Sequence, residues 1–395
     1  MKKGWRGCWA HVIKRGITTT VFVFCIWTTV SAQIDLGLID KADSLLRSGD
    51  YEGYLHIGVL LTESENPLIK GGGFQMMAQA YGYLKKDSLA LVTFHKAERL
   101  LKNDSYLLGA KAQFFLERYE LDSALNNSVK ALESLRAYDD SLHISDLLFD
   151  TGFALKLQEQ YKEAEQVLLQ SLEFDTTNWS IYHQLGHVYL YTKEYQKSLA
   201  YCDAARAKGG KNSDLEYVRA TALYLTGDVK RGIEIADSIR SDTSMTFVAT
   251  LLLGEIYQSV DSAEVAIDYY KKGLELEPEN IASLNNIAFI NMYRGRYEEA
   301  MEYFDKCISI DPDFAFAYNN KALCLYNLGL HQEALRNCDK SLQLDPENAW
   351  AYANRTKIYF ALSMSSMGCR DIEKAESLEY PEAEELEELK KKCGN

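Results

Sequence analysis

Residues 281–314 read IASLNNIAFINMYRGRYEEAMEYFDKCISIDPDF, and residues 315–348 read AFAYNNKALCLYNLGLHQEALRNCDKSLQLDPEN. Laid one above the other, they put Ala288 over Ala322 at the eighth position, Ala300 over Ala334 at the twentieth, and Pro312 over Pro346 at the thirty-second. Apolar residues at helical spacing fill the first half of each block, as Leu284, Ile287 and Ala288 do, and again the second half from Tyr297 to Ile310. Arg294-Gly295-Arg296 between the halves reads as a turn, and the proline ends the second helix because it lacks an amide hydrogen. Each block is therefore expected to be two antiparallel helices, with small residues where the pair approaches closely.

The register extends outward from these blocks. Pro278 closes a preceding block that begins at Phe247, and steps of 34 residues reach back to Ser213, Trp179 and Ser145. Gly152, Gly186 and Ala220 then stand at the eighth position, with Ala164, Ser198 and Gly232 at the twentieth. An insertion over 139–144 shifts the register, which resumes upstream with blocks at Ser105 and Gly71. The expected organisation is an exported leader over 1–32, a degenerate first unit over 33–70, repeats over 71–138 and 145–380, and a C-terminal capping helix over 381–395. In that cap Glu382, Glu384 and Glu385 precede Lys390, Lys391 and Lys392, the order a helix dipole favours.

With Leu284, Ile287, Ala288, Ala300, Phe304 and Pro312 at these places, the chain resembles the tetratricopeptide-repeat family, of a bacterial exported type. The resemblance implies an all-α fold: a right-handed superhelical solenoid of about ten antiparallel helix pairs with the capping helix. It also implies a non-enzymatic scaffold that binds a protein or peptide on its concave face. In the family, positions 2, 5, 9, 12 and 13 of each first helix line that face. From Gly71 onward these hold aromatic residues at 13 of 45 places, whereas 12% of the whole chain is aromatic. Aromatic enrichment with few charges is the composition of an interface core. The residues expected to meet a partner are Phe289, Tyr293, Phe316, Tyr326, Trp350 and Phe360. Asn286, Asn320 and Asn354, each at position 6, form a ladder whose amides could both donate to and accept from the backbone of an extended peptide. A clamp of lysines and arginine for a terminal carboxylate is not expected, since Asn285, Phe289, Asn320, Trp350 and Asn354 hold its places. The same rings could instead stack on sugars, which keeps a solute (glycan) binding protein as the alternative.

The remaining features bound the partner. Lys2, Lys3, Arg6, Lys14 and Arg15, the apolar run Ile17 to Val30 and the small residues before Gln33 read as a secretory signal peptide. The apolar run is short of the roughly 20 residues a spanning helix needs, so cleavage is expected over retention as an anchor. Phe24 before Cys25 argues against a lipid anchor. Removing those five basic groups and no acid from a formal charge of −14 leaves −19, which disfavours nucleic acid as a partner. The partner is expected to be a protein or peptide in the periplasm or cell envelope, free or within a membrane-associated complex. Nothing in the repeat pattern chooses an oligomeric state. Of the cysteines that remain, Cys369 and Cys393 flank the cap and could staple it. No phosphate loop, paired CxxC, HExxH or nucleophile elbow occurs, so no enzyme activity and no cofactor are expected. His183 and His187 have the spacing of a metal chelate on one helix. No third ligand is apparent beside them in the sequence, so no metal is expected.

Overall fold

The computed structural model describes residues 36–136 and 139–393. The expected leader over 1–32 lies outside them. The described residues form 21 helices and no strand, and none of the helices is long and apolar enough to cross a membrane. The chain divides into two compact units, Met1–Ile235 and Ala236–Asn395.

In the first unit the helices are α1 (Leu36–Ser48), α2 (Tyr51–Thr62), α3 (Pro67–Tyr83), α4 (Asp87–Leu100), α5 (Ser105–Leu116), α6 (Leu121–Glu133), α7 (Ser141–Leu157), α8 (Tyr161–Phe174), α9 (Trp179–Tyr191), α10 (Tyr195–Ala207) and α11 (Ser213–Leu225). Helix α12 (Val229–Ile239) carries the chain across the division. The second unit holds α13 (Thr246–Ser259), α14 (Ala263–Leu276), α15 (Ile281–Tyr293), α16 (Tyr297–Ile310), α17 (Ala315–Asn327), α18 (His331–Leu344), α19 (Ala349–Ala361), α20 (Ser365–Ser377) and α21 (Ala383–Lys391). Consecutive helices pack in pairs, α3 with α4, α5 with α6, α7 with α8 and α9 with α10 in the first unit, and α13 with α14 through α19 with α20 in the second, as in a tetratricopeptide solenoid.

Three local devices recur with the repeat. The first is the helix start: Asn178, Asn212, Asn280 and Asn348 each accept a backbone N–H of the following first helix, satisfying a donor the helix itself leaves open. The second is the turn inside each pair. Its left-handed residue is Glu159, Lys193, Gly227, Asp261, Gly295, Gly329 and Ser363 in succession, one every 34 residues. Lys85 and Tyr119 keep the same step upstream, and Glu159 follows Tyr119 by 40. The third is the close approach at positions 8 and 20. Ala288, Ala300, Ala322 and Ala334 are fully buried. A Cβ at Gly186 would stand 2.7 Å from Cys202 Sγ, and one at Gly254 would stand 2.7 Å from the Tyr270 ring.

Two helix starts depart from the expected register. Helix α3 begins at Pro67 and α7 at Ser141, each four residues ahead of the block start. Asn66 accepts from Leu68 N and Asp140 from His143 N, and no breaker stands between these caps and the repeat, so the helix forms from the cap. Residues 141–144, expected as insertion, are thus the first turn of α7.

A further device ties each pair to the next. Arg219 Nε donates to Asp203 Oδ1 at 2.6 Å across α11 and α10, and Arg355 Nη1 donates to Asp339 Oδ1 at 2.7 Å across α19 and α18. Lys321 pairs with Asp305 across α17 and α16 in the same way. Each base lies 16 residues after its acid.

At the C-terminus, α21 buries Leu386 and Leu389 against Ala353, Ile372, Ala375 and Tyr380, which supplies the last pair with a neighbour. Cys369 is bonded to Cys393, the staple the sequence left open. The bond spans 24 residues, and closing such a loop removes about 3 kcal/mol of unfolded-chain entropy. In an array of local contacts that stabilisation stays local. Cys369→Ser is therefore expected to speed amide hydrogen exchange across 383–391 while the α13 to α18 amides keep their protection. Equal protection of α21 with and without the bond would mean that packing alone holds the cap.

Candidate protein-binding face

The first helices of the second unit present the expected aromatic residues in two groups. Tyr293 closes α15 and is 69% exposed, Phe316 is the second residue of α17 and 53% exposed, and Trp350 is the second residue of α19 and 40% exposed. These rings are held in place by neighbours. Phe289, one turn before Tyr293, stands with its ring centroid 4.5 Å from that of Tyr293. Phe316 lies 6.0 Å from Phe314, and Trp350 meets the buried ring of Tyr380 edge to face at 4.9 Å. Burial raises the Tyr380 hydroxyl well above its ordinary pKa, the hydrogen bond to Glu385 adds to this, and the nearby Tyr293 hydroxyl contributes. Trp350 thus stands beside Tyr380, which the sequence did not single out.

The second group is drawn inward. Phe289, Tyr326 and Phe360 are half-buried: Phe289 packs on the cluster around Phe304, Tyr326 on that around Ala322, and Phe360 against Gly368 of α20. The asparagine ladder is uneven for the same reason. Asn286 and Asn320 are half-buried, but Asn354 is 4% exposed. Its Nδ2 donates to Asn319 Oδ1 at 3.0 Å and its Oδ1 accepts from Lys357 Nζ at 3.4 Å. An amide committed in this way is not a free rung for a peptide backbone, so Asn354 leaves the candidate set.

The corresponding face of the first unit has a different chemistry. Here Phe153 is buried on Phe149 at 6.2 Å and Tyr106 stacks on His143 at 3.5 Å, while Tyr191 stays 47% exposed. Several ionisable groups of this face gather at one place. Lys156 of α7, His183, Gln184 and His187 of α9, and Asp214 of α11 are all buried. His187 Nε2 lies 3.0 Å and His183 Nε2 3.3 Å from the same oxygen, Asp214 Oδ2. Lys156 Nζ donates to Gln184 Oε1 at 2.6 Å. Burial pushes the His187 imidazole down to about 4, against the pull of Asp214. Burial opposes charge on Asp214, but His187 and His183 outweigh it and hold the carboxyl well below the usual range. Burial also brings Lys156 down to about 8. Asp214 was hidden in the sequence because it follows His187 by 27 residues. The signal was positional: place 9 of one block and place 2 of the next lie side by side on one face.

Comparison with known proteins agrees with the repeat reading. Models of the tetratricopeptide repeat match residues 281–314 and 315–348, and a second such model matches 180–205 and 249–280. A tetratricopeptide repeat protein from Parabacteroides merdae has a similar fold, with a TM-score of 0.51 and 21% identity over 64% of this chain and 99% of that one. An IFIT1 monomeric mutant solved with Gppp-AAAA gives a TM-score of 0.52 at 16% identity, covering 81% of each chain. Among curated proteins, BBSome complex member BBS4 of Bos taurus is 25% identical over 171 residues, 42% of this chain. The chain spans about a quarter of that relative, 26% of its length. No catalytic family is indicated. Tetratricopeptide repeats, a scaffold that generally mediates protein–protein interaction, are thus found in both units of the chain.

Proposed function

We propose that the protein is a non-enzymatic scaffold outside the cytoplasm that holds an extended or partly folded protein segment on the first-helix face of its second unit. The observation that carries this reading is the exposure of Tyr293, Phe316 and Trp350 on successive first helices. Large rigid rings left in water at one face lose little entropy on meeting a partner, and they dominate interface energetics where they occur. Phe289 and Tyr380 brace two of them, so the rings are positioned before a partner arrives. Asn286 and Asn320, half-buried on the same helices, could pair with the partner's backbone. Export is supported by the basic, apolar and small residues of 1–32 and by the Cys369–Cys393 bond, which suits an oxidising compartment.

The test uses peptides selected by the chain from a random displayed library. Tyr293→Ala with Phe316→Ala is expected to weaken their binding by about 2 kcal/mol or more. Both rings are exposed, so the melting transition should stay near its wild-type position. Failure to select any peptide, or equal binding by the folded variant, would refute the proposal.

A further inference from the structure

We infer that His183, His187 and Asp214 form a binding site for one borderline divalent transition-metal ion of the zinc type, independent of the peptide-binding face. The argument begins with helix geometry. Residues four apart lie on one face of α9, so both imidazoles project the same way, and α11 brings the Asp214 carboxylate to meet them. Ligand atoms of the three residues all lie within 4.8 Å of one another. Each Nε2 stands 3.0 or 3.3 Å from Asp214 Oδ2. A tetrahedral ion with bonds of about 2.0–2.1 Å needs its ligand atoms about 3.3 Å apart. The His183 separation is that of one edge of such a tetrahedron, and the His187 separation is slightly shorter.

A second, independent observation points to a ligand. His183 is fully buried, yet its Nδ1 has no hydrogen-bond partner and its Nε2 has only the 3.3 Å approach to an Asp214 oxygen that His187 already engages. An orphaned polar atom in the interior is costly. Trp179, at 5.9 Å, and His187, at 4.9 Å, stand at its ring, so the imidazole is not aimed at Asp214 by accident of a loose pocket. Hydrogen bonding makes the two imidazoles share one carboxylate oxygen, with His187 the nearer. A metal ion takes the lone pairs of both nitrogens and of the carboxylate at once.

The donor set chooses the class of ion. Two neutral imidazoles and one carboxylate suit zinc, cobalt, nickel or copper and are poor for calcium or magnesium, which want oxygen. Three protein ligands leave a position for water or a partner's donor. The opposing element is Lys156, whose ammonium acts on Asp214 and is held nearby by Gln184. A positive charge there disfavours a second cation, so Lys156→Met is expected to tighten metal binding.

Cobalt(II) added to the chelator-treated full chain is the probe. The expected result is one ion per chain, visible d–d absorption without the near-ultraviolet band of a thiolate ligand, and displacement by zinc. His187→Gln and Asp214→Asn should each weaken cobalt binding by about 100-fold or more, beyond the 10–100-fold that outer partners contribute. Circular dichroism shows whether these variants fold, and the wild-type spectrum decides the question even where they do not. No d–d spectrum at a large excess of cobalt, a thiolate band from the buried cysteines, or an unchanged spectrum in folded His187→Gln would overturn the inference.

Discussion

Arg355→Met is expected to destabilise the second unit by about 3 kcal/mol, the lower end of the cost of breaking a buried ion pair from one side. The guanidinium grips Asp371 with two bonds, Nε to Oδ2 at 2.6 Å and Nη2 to Oδ1 at 2.9 Å, and it reaches Asp339 with Nη1. The Asp371 side chain is 9% exposed, so without its partner a carboxylate would stand uncompensated in the interior. Asp339 is half in water and loses little. The related pairs at Asp203 and Asp305 also expose about half the acid and should be worth much less. Denaturant melts of Arg355→Met and of Arg355→Met with Asp371→Leu separate the effects. The double variant should recover much of the loss, because an apolar pair of similar size needs no compensation. A single-variant loss under about 1 kcal/mol would class the pair with ordinary surface bridges.

These pairs also show where the sequence was legible. The 34-residue step, the paired helices, and the small residues at positions 8 and 20 follow from period and residue size, and both are properties of the string. The left-handed turn residue follows too, since Gly227, Gly295 and Gly329 share it with Glu159, Lys193, Asp261 and Ser363 at one place in the block. What the period could not supply was distance between blocks. Asp203 and Arg219 are 16 residues apart on different helices, and only packing makes them partners. Asp214 joins His183 and His187 by the same kind of contact. Position alone also could not separate Asn354, which Asn319 draws inward, from Asn286 and Asn320. Trp350 was legible as a face residue, whereas its brace, Tyr380, lies in the loop after the last repeat helix, where no period applies.

Raising the pH from about 4 to 8 is expected to weaken the first unit through Asp146 and Asp150, which stand one turn apart on α7. Burial pushes the Asp150 carboxyl up to about 7, and Glu117 adds to this. Burial pushes Asp146 up to about 8, with Asp150, Asp175 and Asp140 adding. Both values lie above the roughly 3.9 of an unfolded aspartate. Between those limits the unfolded chain has lost protons that the folded chain still holds. Unfolding therefore releases protons, and each step upward in pH favours it. Below about pH 4 both states are protonated and the penalty is absent. Asn carries no charge at any pH, so Asp150→Asn should stabilise the protein at pH 8 by at least about 1.4 kcal/mol, the equivalent of a single pH unit. The gain should vanish near pH 4. His143 and His187, both lowered to about 4 chiefly by burial, act in the opposite sense. They stay neutral in the fold while the unfolded chain takes up protons below about 6.5, so they erode stability as the pH falls. The wild-type curve sums these effects, but the difference between Asp150→Asn and wild type removes the histidines. That difference should rise steadily from pH 4 to 7 and then level. A flat difference across the range would show that water reaches the carboxylate in the folded protein.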